Sequence, residues 1–290
     1  MDEQEAVVSV FDHGFLYGMG LFETFRTYGG APFLLKEHLE RLEEGCRLLA
    51  IDYRPDEDWI RQQVATLLEA NGLEDGYVRL SVSAGAEALG LPTEPYTRPN
   101  ECIYMKALPP RDMHEVLRGK PLQLLHTPRS TPETPVRLKS FHYMNNIEAK
   151  RELSGYPWAK GAEGLFLDAG GYAVEGIVSN LFLVRERRLC TPHPQTGLLS
   201  GITRAYVLDL AMSIGLPVEE GLYTWSDVIA ADEVFVTSSI QEIVPIRCAF
   251  DLEGNETLIG EAAAAGAGTW TRRLIDAYGH TGGRRGNEWS

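Results

Sequence analysis

The 290-residue chain has few of the features that mark several common protein classes. No run approaches the roughly 18 apolar residues that a membrane span requires. The first residues lack the charged-then-apolar pattern of a secretory signal. Cysteine is scarce, and no two cysteines are spaced as Cys-x-x-Cys, which argues against a disulfide framework or a zinc site; the four are Cys46, Cys102, Cys190 and Cys248. We therefore expect reduced thiols, a cytoplasmic location and no membrane partner.

Basic residues are also in short supply. Lysine and arginine number 27 against 41 aspartates and glutamates, so the formal net charge is −14. Nucleic-acid binding needs clustered cations to neutralise phosphates, so we expect no nucleic-acid partner. The seven histidines show no ligand spacing, and we expect no metal site. A small anionic ligand stays possible, because a few local cations and backbone N–H groups suffice to bind one phosphate.

With these classes excluded, the composition is that of an ordinary globular protein. The spacing of its apolar residues predicts a mixture of helices and strands. Residues 11–20 contain three glycines and predict a turn region. The predicted helices cover 36–50, 60–71, 141–153 and 202–214. The predicted strands cover 7–10, 78–82, 103–107, 122–124, 165–167, 173–178, 181–184 and 234–236. Because helices and strands do not alternate regularly, this pattern favours an α/β (α+β) fold over a doubly wound sheet.

The chain divides into two predicted domains. A small α/β domain covers 1–107, and a larger domain covers 121–279. Between them, 108–120 carries two prolines, mixed charge and no firm period, which is typical of a linker. The tail 280–290 is rich in glycine and charge and is predicted to be disordered.

Three segments have residues suited to binding a phosphate group. In the first, Ser200 is a candidate N-cap, Gly201 allows a ligand to approach the backbone, and the N–H groups of Gly201, Ile202 and Thr203 point out of a helix start. The second is the hydroxyl run Thr237, Ser238 and Ser239 after an apolar strand. The third is Arg41, at the edge of an apolar helical stripe. Each segment alone also fits a purely structural role.

Two further residues suggest covalent and acid–base chemistry. Lys139 ends an extended apolar segment and is a candidate amine nucleophile. Arg137 lies two positions earlier, so on a strand it would share a face with Lys139 and lower the lysine pKa. Glu175 lies within an apolar strand, where a carboxylate needs a partner such as a pyridinium N–H. A surface lysine and an edge glutamate are the plain alternatives.

Taken together, an amine for an aldehyde, an acid for a ring nitrogen and a phosphate cradle fit one cofactor, pyridoxal 5′-phosphate. The motifs that carry these residues resemble the class IV, fold-type IV pyridoxal-phosphate enzymes. They run in the family order as FDHGFLYGMGLFETFR (11–26), HLERL (38–42), RLKSFHYMNNIEAKRE (137–152), EGIVSNLFLV (175–184), TGLLSGITRA (196–205) and ADEVFVTSSIQEIVPI (231–246). The resemblance implies a small N-terminal α/β domain, a larger domain with a β-barrel-like core, and a homodimer.

The resemblance also implies roles for individual residues. Lys139 would be the catalytic lysine that forms the Schiff base with the cofactor, and Glu175 the partner of the pyridine nitrogen. The phosphate contacts would be Arg41, the N–H groups of Ile202 and Thr203, and Ser239. The remaining cofactor-binding positions would be Ser179, Asn180, Gly201 and Ser238. Substrate carboxylates need cations, and the candidates are Arg137, Arg26 and Arg79, with Arg137 favoured because it is expected on the face of Lys139.

Within the family, the Lys-Ser-(x)₃-Met-Asn-Asn run and the ending Ser-Ile-Gln-Glu-Ile-Val-Pro look most like the 4-amino-4-deoxychorismate lyases. These release 4-aminobenzoate and pyruvate from a small amino substrate in folate biosynthesis. A transaminase acting on D-amino acids is disfavoured, because the loop 83–94 lacks the usual Arg-x-His carboxylate trap. One acting on branched-chain amino acids is disfavoured, because the segment after Lys139 is not glycine-rich.

Other points stay open at this stage. Lyase and transaminase both begin with proton removal by the same lysine, so the site residues do not distinguish them. A non-catalytic binding protein on the same fold would be expected to have lost Lys139 or Glu175 from the motifs, and both are present. Relatives usually begin with a short strand ahead of the segment matching 6–8, so we expect that an edge strand is missing or the start site is shifted.

Overall fold

A computed structural model describes residues 5–260 and 266–281, with side chains to residue 279. The chain forms two compact units. The first runs to Leu108 and also includes Leu138–Tyr143; the second comprises Pro109–Arg137 and the chain from Met144 onwards. The sequence placed a domain boundary after residue 107, next to Leu108, but did not predict the return of 138–143 to the first unit. Among the described residues, no helix combines the length and apolar character needed to cross a bilayer.

The first unit is built on a four-stranded antiparallel sheet. Its strand order is β2-β1-β3-β4. The strands are β1 (Gly20–Tyr28), β2 (Ala31–Pro32), β3 (Gly76–Ser83) and β4 (Asn100–Ala107). The helices are α1 (His13–Tyr17), α2 (Leu35–Leu48) and α3 (Glu57–Asn71). The predicted helices 36–50 and 60–71 and strands 78–82 and 103–107 are confirmed in type and place.

One face of this sheet forms the core of the first unit. Val78, Leu80 and Val82 alternate along β3 and are fully buried. They belong to one apolar cluster with residues spaced three and four apart on the two helices, including Leu39, Leu42, Ile60 and Val64. The ends of α3 follow the sequence: the Asp56 carboxylate accepts from the N–H of Trp59, and Gly72 ends the helix in the left-handed region with φ 63°.

The stretch 138–143 lies along the N-terminal part of β1. The N–H of Phe22 donates to the carbonyl of Lys139 over 2.9 Å, and that of Phe141 donates to the carbonyl of Gly20 over 3.0 Å. Leu21 and Ser140 form the bridge between these contacts. These main-chain bonds fix the backbone of Lys139 against β1.

The second unit contains a nine-stranded sheet. Its strands are β5 (Lys120–Leu124), β6 (Glu163–Leu167), β7 (Ala173–Gly176), β8 (Asn180–Arg185), β9 (Arg188–Pro192), β10 (Val218–Gly221), β11 (Glu233–Ser238), β12 (Glu242–Phe250) and β13 (Glu256–Leu258). Its helices are α4 (Met113–Arg118), α5 (Met144–Ser154), α6 (Ile202–Ser213), α7 (Trp225–Ile229) and α8 (Thr269–Thr281).

Six of these strands close into a barrel. The order β8-β11-β12-β5-β6-β7 returns to its start because β7 also pairs with β8. The β12–β5 and β5–β6 pairs are parallel, and the other pairs in the ring are antiparallel. Closing the ring leaves no free edge among the six strands. The predicted fold class, a small α/β domain with a larger barrel-based domain, is confirmed.

Several local predictions are wrong. Residues 7–10 form no strand, and Val7 is 87% exposed. The glycine-punctuated region contains α1, because the Asp12 carboxylate caps its first turn and Gly18 ends it with φ 72°. The predicted linker 108–120 contains α4, capped by Asp112, and the first residue of β5. Of the tail 280–290, residues 280–281 end α8, and the rest lies outside the described residues.

Candidate active site

Lys139 belongs to the first unit, and it is not on a strand. Residues 137–139 form neither helix nor strand, because the chain passes from the second unit to the first between Arg137 and Leu138. The predicted shared strand face of Arg137 and Lys139 is therefore wrong. The Lys139 Nζ lies 4.7 Å from the centroid of the Phe22 ring, which is itself buried. An aromatic face at this distance attracts the ammonium form.

A buried charged triad lies between β1 and α2 in the first unit. The Glu23 carboxylate, 1% exposed, accepts from Arg41 Nε over 2.8 Å and from its terminal nitrogen over 2.6 Å, and lies 2.6 Å from His38 Nδ1. Burial alone would raise the pKa of Glu23, but the charges of Arg41 and His38 outweigh it and lower that pKa to about 2. Burial lowers the pKa of His38; the Glu23 carboxylate opposes this effect, and the charges of Arg41 and Lys139 add to it.

Arg41, a predicted phosphate contact, is thus held by a bidentate pair with Glu23, with a fifth of its side chain exposed. The sequence argument missed both Glu23 and His38. The signal was available in the alternation of β1: Glu23 falls on the buried face of the strand, where a carboxylate needs a cation.

Two of the predicted substrate arginines lie on the opposite face of the same sheet. The Cζ of Arg79 is 3.5 Å from the centroid of the Phe22 ring, the ring that Lys139 also approaches. The Cζ of Arg26 is 4.5 Å from the ring centroid of Tyr28. The structure therefore brings Arg79 and Lys139 to one aromatic side chain, and places Arg26 on the same strand face as Phe22.

Glu175 is in the second unit, on β7, and is 4% exposed. Its Oε1 accepts from Arg129 Nε over 2.8 Å, and Arg137 Nε lies 3.9 Å from the same atom. Its Oε2 accepts from the N–H of Leu199 over 3.0 Å and from Asn180 Nδ2 over 3.4 Å. A buried carboxylate is costly unless paired and hydrogen-bonded, and these contacts meet that requirement.

Arg129 is the residue that the sequence argument missed here. Its side chain is 7% exposed. Its guanidinium donates to the Oδ1 atoms of Asn145 and Asn146 over 2.8 and 3.2 Å, while Asn146 Nδ2 donates to the carbonyl of Ile177. The two asparagines of the Met-Asn-Asn motif thus orient the arginine that holds Glu175. The need for a cation beside Glu175 was predictable, but nothing in the loop 126–137 singles out Arg129.

Arg137 ties two loops of the second unit together. Its guanidinium donates to the carbonyls of Gly197 and Ser130. Burial, together with the charge of Arg129, lowers the pKa of Arg137 to about 10. Arg137 is the residue that the sequence favoured for binding a substrate carboxylate. Its guanidinium already donates to these two carbonyls, so it would have to share its N–H donors with a substrate.

The helix start predicted to bind phosphate is α6. It begins at Ile202, and its N-cap is Gly201 rather than the predicted Ser200, with no side-chain cap hydrogen bond. A Cβ on Gly201 would lie 2.0 Å from the Oδ1 of Asn180, whose Nδ2 donates to the carbonyl of Leu199 over 2.8 Å. Glycine is required here by this close approach.

The hydroxyl residues gather near this helix start. The Thr203 and Ser239 hydroxyls lie 3.3 Å apart, which joins two of the predicted phosphate contacts. Ser238 Oγ instead accepts from the N–H of Gln241 over 3.1 Å. Within the described part of the chain, the buried hydroxyls of Ser179 and Thr237 have no hydrogen-bond partner. The uncapped N-terminus of α6 and the paired hydroxyls of Thr203 and Ser239 form a donor set suited to a bound anion.

Comparisons with known proteins give the same family for sequence and structure. The family model described as amino-transferase class IV matches residues 20–248. The aminodeoxychorismate lyase of Bacillus subtilis is 39% identical over 287 residues, covering 98% of this chain and 95% of the relative. The putative branched-chain-amino-acid aminotransferase of Methanocaldococcus jannaschii is 36% identical over 264 residues, covering 90% and 89%.

Solved structures agree with these relatives. The 4-amino-4-deoxychorismate lyase of Pseudomonas aeruginosa has a TM-score of 0.81 and 32% identity, covering 95% of both chains. The T.th. branched-chain amino acid aminotransferase complexed with N-(5′-phosphopyridoxyl)-L-glutamate has a TM-score of 0.83 and 28% identity, covering 99% of this chain and 92% of that one. The resemblance found in the motifs is confirmed, and the chain is an enzyme of the class IV aminotransferase family.

Proposed function

We propose that the chain is a pyridoxal-phosphate-dependent lyase that converts 4-amino-4-deoxychorismate to 4-aminobenzoate and pyruvate in folate biosynthesis. The observation that carries the cofactor assignment is the buried Glu175 carboxylate, whose partners Arg129 and Leu199 fix both of its oxygens. The reaction type is supported by the 39% identity to an aminodeoxychorismate lyase over nearly the whole chain. It is also supported by the loop 83–94, which has no arginine or histidine.

The residues present fit the cofactor's functional groups. A phosphate suits the uncapped start of α6 together with the Thr203 and Ser239 hydroxyls, because these donors bind an anion without requiring a net positive surface. Glycine is needed at position 201, the N-cap of α6, since a Cβ there would collide with Asn180. The fixed carboxylate of Glu175 suits a protonated ring nitrogen.

When bound, pyridoxal phosphate supplies an aldehyde that binds amines and a ring that withdraws electrons. Glu175 would accept the proton-bearing ring nitrogen as its partner, and Arg129 orients the carboxylate through a charge-assisted hydrogen bond. The Lys139 Nζ binds the cofactor between turnovers. As a free amine it would be the general base for the proton on the substrate carbon that bears nitrogen, and the acid that returns this proton to the enolpyruvyl group. The phosphate contacts orient the cofactor throughout.

Substrate carboxylates would be bound by cations on the face of the first unit's sheet that lies opposite its apolar core. Arg79 shares the Phe22 ring with Lys139, and Arg26 is on the same strand face. A guanidinium presents a planar fork that matches a carboxylate. Arg137 serves as a third candidate only if its bonds to Gly197 and Ser130 are shared, so we place it behind the other two.

The deciding experiment compares two reactions. The purified enzyme is incubated with aminodeoxychorismate alone, and separately with D-alanine or L-leucine plus 2-oxoglutarate. We expect release of 4-aminobenzoate and pyruvate without any keto-acid acceptor. Transamination without 4-aminobenzoate release would refute the lyase proposal. Arg79→Met is expected to raise the KM for the dicarboxylate substrate, with Lys106→Met, on the adjacent β4, as the matched control.

A class IV transaminase acting on branched-chain or D-amino acids is the second candidate. The 36% identity to a putative branched-chain aminotransferase over 90% of the chain favours it. In that reaction Lys139 and Glu175 would have the same roles, and Lys139 would not deliver its proton to an enolpyruvyl group. The incubation with an amino acid and 2-oxoglutarate tests it directly.

We further propose a homodimer that works in the cytoplasm. An apolar stretch at the start of the first unit supports the dimer: Val7 is 87% exposed and Phe15 71%, and exposed apolar patches mark association surfaces. Light scattering coupled to gel filtration should give twice the chain mass, and Phe15→Glu should shift it towards the monomer. The four cysteines, all within the described residues and none in a disulfide, support a reducing compartment.

A further inference from the structure

The turn between β11 and β12 carries Ser239, one of the two hydroxyls at the start of α6. Ser238 and Glu242 are register partners, so Ser239, Ile240 and Gln241 form a three-residue hairpin loop. Glu242, the first residue after this loop, has φ 61°, which lies in the left-handed region that non-glycine residues rarely adopt.

Glu242 is held in this conformation by an ion pair. Its side chain is 3% exposed and pairs with the Arg111 guanidinium, which is 19% exposed. A non-glycine residue persists in the left-handed region when the surrounding structure over-determines it. A change of φ at Glu242 would move its carboxylate relative to Arg111, so the buried pair favours the observed conformation.

The residue before Glu242 is tied to the same segment. Lys120 Nζ donates to Gln241 Oε1 over 2.7 Å. Arg111 and Lys120 belong to the stretch 109–120, which the sequence predicted to be a plain linker. The stretch is also pinned to β12, because Arg247 donates to the carbonyl of Gly119 over 3.1 Å. Two consecutive residues at the end of the hairpin loop are therefore held from one side.

We propose that Arg111, acting through Glu242, positions the Ser239 turn for the cofactor phosphate, which makes 109–120 part of the phosphate site's support. This rests on the proposed cofactor site. The ion pair keeps Glu242 left-handed, the left-handed residue sets the shape of the loop, and the loop sets the 3.3 Å approach of the Ser239 and Thr203 hydroxyls. Arg111 is a positioning residue and touches neither cofactor nor substrate.

The test measures binding to the full-length apoprotein of pyridoxal phosphate and of pyridoxal, which lacks the phosphate. Arg111→Met should weaken pyridoxal-phosphate binding about tenfold, the scale of one charge-assisted hydrogen bond, and leave pyridoxal binding within about twofold. The double variant Arg111→Met/Glu242→Gly should restore pyridoxal-phosphate affinity to within about threefold of the wild type, because glycine adopts a positive φ without a constraint. Arg185→Met, which breaks an exposed pair in the same unit, is the control and should change neither affinity.

The double variant distinguishes two explanations of weaker binding in Arg111→Met. If Arg111 only attracted the phosphate by its charge, a glycine at position 242 would not restore the affinity for pyridoxal phosphate. Equal weakening of both ligands by Arg111→Met, unchanged binding, or no rescue in the double variant would overturn the inference. If Arg111→Met does not fold, Glu242→Gly alone decides: retained preference for the phosphate form supports the inference, and its loss overturns it. A wild type that binds both ligands equally would instead refute the proposed phosphate site, as would unchanged binding in Ser239→Ala.

Discussion

Removing Arg129 should destabilise the second unit far more than removing a comparable surface arginine. Arg129 Nε lies 2.8 Å from Glu175 Oε1, and the two side chains are 7% and 5% exposed. In Arg129→Met the carboxylate stays buried while its cation is replaced by a neutral side chain of similar length. The hydrogen bonds of Arg129 to Asn145 and Asn146 are lost at the same time.

The magnitude follows from the burial of the pair. Breaking a buried ion pair by removing one partner costs about 3–5 kcal/mol, because a charge is left uncompensated. We expect the lower end, about 3 kcal/mol, because Arg137 Nε remains 3.9 Å from the same oxygen. For a chain of this size such a loss lowers the thermal midpoint by roughly 5–10 °C.

Thermal unfolding of the full-length apoprotein at pH 7 measures the effect. The matched control is Arg185→Met, which breaks a pair of the same 2.8 Å length between side chains that are 40% and 31% exposed, and which should cost at most about 1 kcal/mol. The double variant Arg129→Met/Glu175→Gln should recover much of the loss, because no buried charge remains. If Arg129→Met and Arg185→Met shift the midpoint equally, the argument that burial makes the Glu175 pair costly to break is wrong.

Three further predictions concern other parts of the chain. Lys139→Ala should abolish the yellow colour and the borohydride-reducible adduct that the protein forms with pyridoxal phosphate. The control Lys36→Ala, which replaces an exposed lysine on α2, should leave both intact. A Lys139→Ala protein that is still yellow would contradict the proposed role of Lys139. The pKa of Glu23 is lowered to about 2 from 4.5, so its ionised form stabilises the folded state above pH 5, and this contribution, on the order of 3 kcal/mol, is lost as the pH falls towards 2. Urea unfolding between pH 7 and pH 2.5 should therefore show a smaller acid-induced loss of stability for Glu23→Gln than for the exposed control Glu148→Gln. Equal losses in the two variants would refute this prediction. Iodoacetamide should alkylate exposed Cys102 in the native protein, while Cys46 and Cys248, buried with a pKa raised to about 12, should react only after unfolding, as peptide mapping will show.

Much of the fold was predictable because its periodic elements carry strong apolar patterns. The helices α2 and α3 and the alternating strand β3 follow directly from the spacing of their buried residues. Two strand assignments failed for physical reasons: the strand β12 was missed, and a strand was wrongly predicted at 7–10. The strand β12 contains Pro245, which normally argues against a strand interior. The stretch 7–10 has the composition of a strand but no partner among the described residues, and composition alone does not supply one.

Only some residues of the candidate site could be predicted from the sequence. Lys139 and Glu175 were predicted as site residues because their motifs resemble those of the family, and their roles stay predictions; the structure shows that Glu175 is buried and paired. Arg129 was not, because ion-pair partners meet through tertiary structure, and the 46 positions that separate it from Glu175 leave no local signal. The shared strand face of Arg137 and Lys139 failed for a related reason: sequence spacing implies a common face only where the backbone is regular.

The return of Leu138–Tyr143 to the first unit bears on the order in which the protein folds during synthesis. Gly20 and Phe22 make backbone hydrogen bonds with Phe141 and Lys139, residues that leave the ribosome long after the rest of their unit. Contacts so distant along the chain are slow to form, since loop closure must precede them. The first unit cannot be completed when only residues 1–108 have been translated. When residues 138–143 leave the ribosome, 109–137 has already emerged. Lys139 therefore leaves the ribosome with the stretch that completes the first unit, so its side chain is positioned only when that unit is complete.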